Sequence, residues 1–104
     1  SFPYDRLTYG SRVVIYGAGY VGKIIHQLIT RTDYCEAVLW VDKNFEEFQR
    51  EGLAVYSPLE MKVKEFDYVL VAVEKDEIYE SIKKEIVVNE LSGNARIVGP
   101  IKRM

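Results

Sequence analysis

The feature that most narrows the possible folds is the junction RVVIYGAGYVGKIIHQLI at residues 12–29, where one hydrophobic period gives way to another. Arg12 to Tyr16 is a short apolar run rich in β-branched residues, which favours a strand. Gly17-Ala18-Gly19 breaks it at once. From Tyr20 to Thr30, Val21, Ile24, Ile25, Leu28 and Ile29 recur on one stripe at helical spacing, with Lys23, Gln27 and Thr30 elsewhere. A strand, a glycine turn and a helix are the first unit of the chain.

The same alternation continues. Glu36 to Val41 reads as a second strand. A short helix follows from Phe45 to about Arg50, with Asn44 as N-cap and Glu47 as its capping-box partner. Gly52 ends that helix, and Leu53 to Tyr56 reads as a third, very short strand. Ser57-Pro58-Leu59-Glu60 is a strong helix start that runs to about Val63. In the fourth strand, Phe66 to Val73, the run from Tyr68 does not alternate polar with apolar, as expected of a strand covered on both faces. Glu74 to about Asn89 is helical, with Ile78, Ile82 and Ile86 in a stripe, and Ala95 to Val98 is a fifth strand. Strands alternating with helices predict an α/β fold: a doubly wound parallel sheet of five strands in the order 3-2-1-4-5, with helices on both faces. Residues 1–11 read as a leader arm or linker and residues 12–104 as one domain. No partner is assignable to the segment from Ile101 onward.

Composition removes several classes of function. The 14 Lys plus Arg against 16 Asp plus Glu give a net charge of -2, with no basic excess to hold a nucleic-acid backbone. One Cys cannot close an intramolecular disulfide, so a reducing, cytoplasmic setting is expected. No apolar run is long enough to span a membrane, and the polar first ten residues do not read as a secretory leader.

Chemistry concentrates at Gly17-Ala18-Gly19-Tyr20-Val21-Gly22, a full G-x-G-x-x-G between a strand and a helix, the context this motif requires. Gly17 permits the tight turn, Gly19 lets a pyrophosphate approach the backbone, and Gly22 lets helix and strand pack closely. The N–H groups of the first helical turn would face the phosphates. Asp42 ends the second strand about 20 residues past Gly22, where a carboxylate accepts the hydroxyls of a ribose. Its charge favours NAD over NADP, although the neighbouring Lys43 weakens that preference. Val73 and Glu74, with Ala72 and Lys75, follow the fourth strand and are candidates to line the crevice at the carboxyl ends of the strands. Tyr20 would cover a bound phosphate or sugar, or lie on the surface. S-adenosylmethionine is a lesser candidate ligand. A nucleoside triphosphate held by a P-loop is excluded, because G-x-x-x-x-G-K-[ST] does not occur. The competing reading is a loop that packs helix on strand and holds no ligand.

The remaining reactive side chains read as structural. His26 lies in the first helix without a nameable partner, Cys35 reads as a small buried hydrophobe, and Trp40 as packing between helix and sheet. One His and one Cys make no metal site. No acid–base pair or nucleophile triad emerges, so no complete catalytic site is expected, and the domain reads as a piece of a larger protein.

VVIYGAGYVGKIIHQLI at 13–29, AVLWVDKN at 37–44, GLAVYSPLEM at 52–61 and FDYVLVAVEKDE at 66–77 together resemble a known family. It is the Rossmann-like nucleotide-binding domain of bacterial capsule and lipopolysaccharide biosynthesis proteins, of the nucleoside-diphosphate-sugar epimerase and dehydratase type or attached to glycosyltransferases. The resemblance implies binding of NAD(P) or a nucleotide-sugar, with Gly17, Gly19, Gly22 and Asp42 matching the dinucleotide pattern. Such enzymes use a Tyr-x-x-x-Lys pair. Tyr79 and Lys83 have that spacing, but they fall on an amphipathic helix with no sugar domain beside them, and are not expected to be catalytic. Two alternatives stand beside the nucleotide-binding expectation. One is a ligand-free module that dimerises or docks a glycosyltransferase through Phe2, Tyr4 and Tyr9. The other is a domain that senses NAD or S-adenosylmethionine.

Overall fold

The computed structural model of the protein describes residues 2–102. Ser1, at the start of the expected leader, and Arg103 and Met104, at the end of the expected domain, lie outside the described residues. The elements are β1 (Arg12–Tyr16), α1 (Tyr20–Thr32), β2 (Glu36–Val41), α2 (Phe45–Arg50), β3 (Tyr68–Val71), α3 (Asp76–Val88) and β4 (Arg96–Val98), with 3-10 turns at Tyr4–Arg6 and Pro58–Val63. The four strands form a parallel sheet in the order β2-β1-β3-β4.

Successive side chains of a strand point to opposite faces, and both faces are covered. Val13 and Ile15 of β1 and Leu70 of β3 pack with Ile25 and Ile29 of α1. Val14, Tyr16, Val69 and Val71 pack on the other face with Met61, Tyr79 and Ile86. The absence of alternation in β3 therefore has the cause inferred from it: this strand, like β1 beside it, is buried on both sides.

The expected third strand, and with it the five-strand order 3-2-1-4-5, requires correction: the strand expected fifth is β4 of a four-stranded sheet. Leu53 to Tyr56 does lie outside β2, but only Tyr56 pairs, in a single parallel bridge to Val41. Competition from α2 explains this. The Leu53 N–H donates to the Phe48 carbonyl at the end of α2, and the Gln49 side chain donates to the Val55 carbonyl at 2.9 Å. Two residues of the would-be strand thus give backbone groups to the preceding helix, and Ser57-Pro58 turns the chain away immediately afterwards. Ser57 caps as expected, accepting from the Leu59 N–H at 3.2 Å, but the segment it opens is a 3-10 turn. Asn44 makes no side-chain cap on α2.

The leader packs as part of the domain. Phe2 and Leu7 are buried in the cluster on the α1 face. The Tyr34 hydroxyl hydrogen-bonds to the carbonyls of Tyr4 and Leu7, and the Arg6 guanidinium donates to the carbonyls of Gly99 and Pro100. Beyond β4, Ile101 is buried and its N–H donates to the Val73 carbonyl at 2.8 Å. Leader and tail are therefore joined to each other and to the carboxyl end of β3.

Candidate glycine-loop site

The three glycines between β1 and α1 stand in different surroundings. Gly17 has φ +120, a conformation that L side chains rarely adopt, and a Cβ there would lie 3.2 Å from the Ala72 carbonyl oxygen. At Gly22 a Cβ would collide with the Gly17 carbonyl. Both residues are glycine because backbone passes against backbone. Gly19 differs: its φ is -75, available to any residue, and a Cβ there would meet nothing within 4 Å.

Gly19 is also the N-cap of α1, and the helix has neither a side-chain cap nor an acidic residue in its first turn. The first turns of α2 and α3 hold Glu46 and Glu47, and Asp76 and Glu77. Acidic side chains there offset the positive end of the helix dipole; the first turn of α1 supplies none of its own.

Two side chains at the end of β2, Trp40 within it and Asp42 just after it, fix the loop. The buried Trp40 Nε1–H donates to the Gly17 carbonyl at 2.8 Å. Two residues on, Asp42 Oδ2 accepts from the Ala18 N–H at 2.8 Å, and Oδ1 accepts from the Asn44 N–H at 2.8 Å. Asp42 is thus directed onto the loop, half-buried, with one further acceptor position on each oxygen. The Ala18 N–H is taken by this bond. Of the other expected site residues, Val73 offers its carbonyl to Ile101 and Glu74 its carbonyl to Lys102, whereas Lys43 makes no hydrogen bond or ion pair among the described residues. Tyr20 is exposed and Val21 half-buried at the start of α1.

Sequence reasoning placed Trp40 in the core but missed its bond to Gly17. The available signal was the period of the strand: Trp40 in β2 and Asp42 just past its end lie two apart, and both reach the loop. His26 stacks on Trp40 with ring centroids 4.2 Å apart and planes 9° apart, and burial lowers its pKa. The contacts of Arg6 and Lys102 gave no sequence signal.

Other reactive groups are withdrawn from chemistry. Burial pushes the Cys35 thiol up to about 11. Burial, followed by the nearby Glu85 and Asp42 charges, pushes the Tyr16 phenol up to about 12. Tyr79 is buried under α3, and a Cβ at Gly99 would lie 2.7 Å from its ring. A surface hollow of about 1240 Å³ is open and lies at the amino ends of the strands near Thr8, Ser11 and Lys62, at the opposite end of the sheet from the glycine loop. Among the described residues there is no group of three His, Cys, Asp or Glu placed to hold a metal, and no helix long and apolar enough to cross a membrane.

A parallel sheet flanked by helices, with a glycine turn leading from β1 into α1, is a Rossmann-like topology compatible with a nucleotide-binding type of domain. No curated protein and no solved structure matches the chain. A family model described as C2185-like, N-terminal matches residues 9–98, from the end of the leader to the end of β4. The chain therefore belongs to the C2185-like, N-terminal family.

Proposed function

We propose that this domain binds the diphosphate of a nucleotide ligand, NAD or a nucleotide-diphospho-sugar, at the turn between β1 and α1, as the binding part of a larger carbohydrate-biosynthesis protein. The observation that carries this reading is Gly19. Packing requires Gly17 and Gly22, but among the described residues no atom lies within 4 Å of a Cβ at position 19. Ser or Asp there would cap α1 and make the helix more stable. With glycine there, no side chain of residue 19 caps the first turn and the space at its Cβ position is open, which suits an incoming phosphate. Asp42 beside the loop suits ribose hydroxyls and repels a 2′-phosphate, favouring NAD over NADP. The carbohydrate setting rests on the sequence resemblance of residues 13–77.

A second reading, a loop that serves structure alone, draws on the Ala18–Asp42 bond, which already satisfies one loop amide. Titration separates the two. Trp40 is the single Trp and touches Gly17, so its emission reports on the loop. NAD, ADP or a uridine-diphosphate sugar is expected to change that emission and to release heat in calorimetry, NADP less so. Gly19→Asp is expected to raise the melting temperature slightly through its new cap while weakening binding more than about tenfold, since its carboxylate takes the amides and repels phosphate. Absence of heat and of any emission change with each ligand at millimolar concentration would leave the structural loop as the function.

A further inference from the structure

We infer that Lys102, carried to the rim of the glycine-loop crevice by the segment that follows β4, is the cation that recognises the ligand's phosphate charge; this deepens the nucleotide-binding proposal above and rests on it. The route of the chain is fixed at each step. Gly99 has φ +154 and passes so close to Val71 and Tyr79 that a Cβ would lie 2.9 Å from the Val71 carbonyl oxygen. Arg6 clamps the carbonyls of Gly99 and Pro100 at 3.2 and 3.0 Å. Ile101 is buried on the α1 face and bonds to the Val73 carbonyl. Lys102 Nζ then donates to the Glu74 carbonyl at 3.1 Å and pairs with Asp76 at 2.9 Å. Ala72, whose carbonyl packs against Gly17, is two residues before Glu74, so this ammonium stands beside the crevice between β1 and β3.

Charge makes a cation necessary there. Asp42 lies on the loop and Asp76 lies beside Lys102, and a diphosphate entering between carboxylates is repelled unless positive charge accompanies it. The dipole of α1 supplies only about half a unit charge. The side chains of Lys43 and Lys75 make no hydrogen bond or ion pair among the described residues, so the fold does not fix their ammonium groups. Lys102 is held at the Glu74 carbonyl and at Asp76, on a segment anchored by three neighbours. Its side chain is more than half exposed, so exchanging Asp76 for a ligand phosphate exposes no buried group.

The test compares ADP, AMP and adenosine by calorimetry on the whole chain. Lys102→Ala is expected to weaken ADP about tenfold, AMP less, and adenosine not at all, because one charge-assisted hydrogen bond is lost. Lys102→Arg is expected to restore most of the ADP affinity, and Lys62→Ala, at the opposite end of the sheet, to leave it unchanged. Equal losses for ADP and adenosine, or an unchanged ADP affinity in Lys102→Ala, would overturn the assignment while leaving the nucleotide reading intact. Failure of the unaltered chain to bind any of the three overturns both. A melting temperature close to that of the parent would show that Lys102→Ala acts on the ligand and not on folding.

Discussion

Gly22→Ala is expected to destabilise the domain by about 3 kcal/mol or more, a large share of the roughly 5–15 kcal/mol that holds such a domain folded. The added methyl group collides with the Gly17 carbonyl oxygen, an atom of the backbone that has no rotamer to escape into. Relief requires α1 to lift away from β1, which opens the contacts of Ile25 and Ile29 with Val13 and Ile15. It also disturbs the Trp40–Gly17 hydrogen bond, because Trp40 Nε1 lies 3.7 Å from the same Cβ position. Urea unfolding followed by circular dichroism checks this, and a midpoint shift no larger than that of Gly19→Ala would refute it. Gly19→Ala should cost about 1 kcal/mol or less, the difference between glycine and alanine at an N-cap. Two glycines of one motif would then differ in stability by several-fold, for reasons visible only in their surroundings.

Trp40→Ala is the second large effect, expected at about 3–5 kcal/mol for the loss of a large buried side chain. Trp40→Phe separates the contributions. The ring keeps much of the apolar contact, but the buried Gly17 carbonyl loses its donor, which costs about 1–3 kcal/mol. His26 also loses its stacking partner in the alanine variant. If Trp40→Phe proved as stable as the parent in a denaturant titration, the indole would be packing alone and the loop would be held by Asp42. If the hydrogen bond matters, Trp40→Phe should also weaken nucleotide binding, since Gly17 begins the turn that carries Gly19.

The contrast between the two faces of the motif shows where sequence reasoning succeeds. The G-x-G-x-x-G spacing, set between an apolar run and a helical stripe, identified the loop and assigned Gly17 and Gly22 roles that match their close approaches. Periodicity located β1, α1, β2, α2 and α3 within a few residues, because those segments meet no competitor for their backbone groups. The strand expected at Leu53–Tyr56 failed for the opposite reason. Its apolar pattern is that of a strand, but Phe48 and Gln49, on the helix before it, take the groups it needed for pairing. Asp42 was read as a hook for ribose; its bonds to the Ala18 and Asn44 amides depend on the curvature of the chain after β2.

Local pattern therefore determined, from the sequence alone, that this chain alternates strand and helix and turns through glycine at the end of its first strand. Steric freedom of a residue and the period of its neighbours are properties of a short stretch of chain. Only the tertiary structure decided how many strands pair, that the leader and Ile101 belong to the core, and that Lys102 reaches the Glu74 carbonyl and Asp76. Those outcomes depend on groups distant in sequence competing for the same hydrogen bonds and the same apolar space, and no short window of residues contains both competitors.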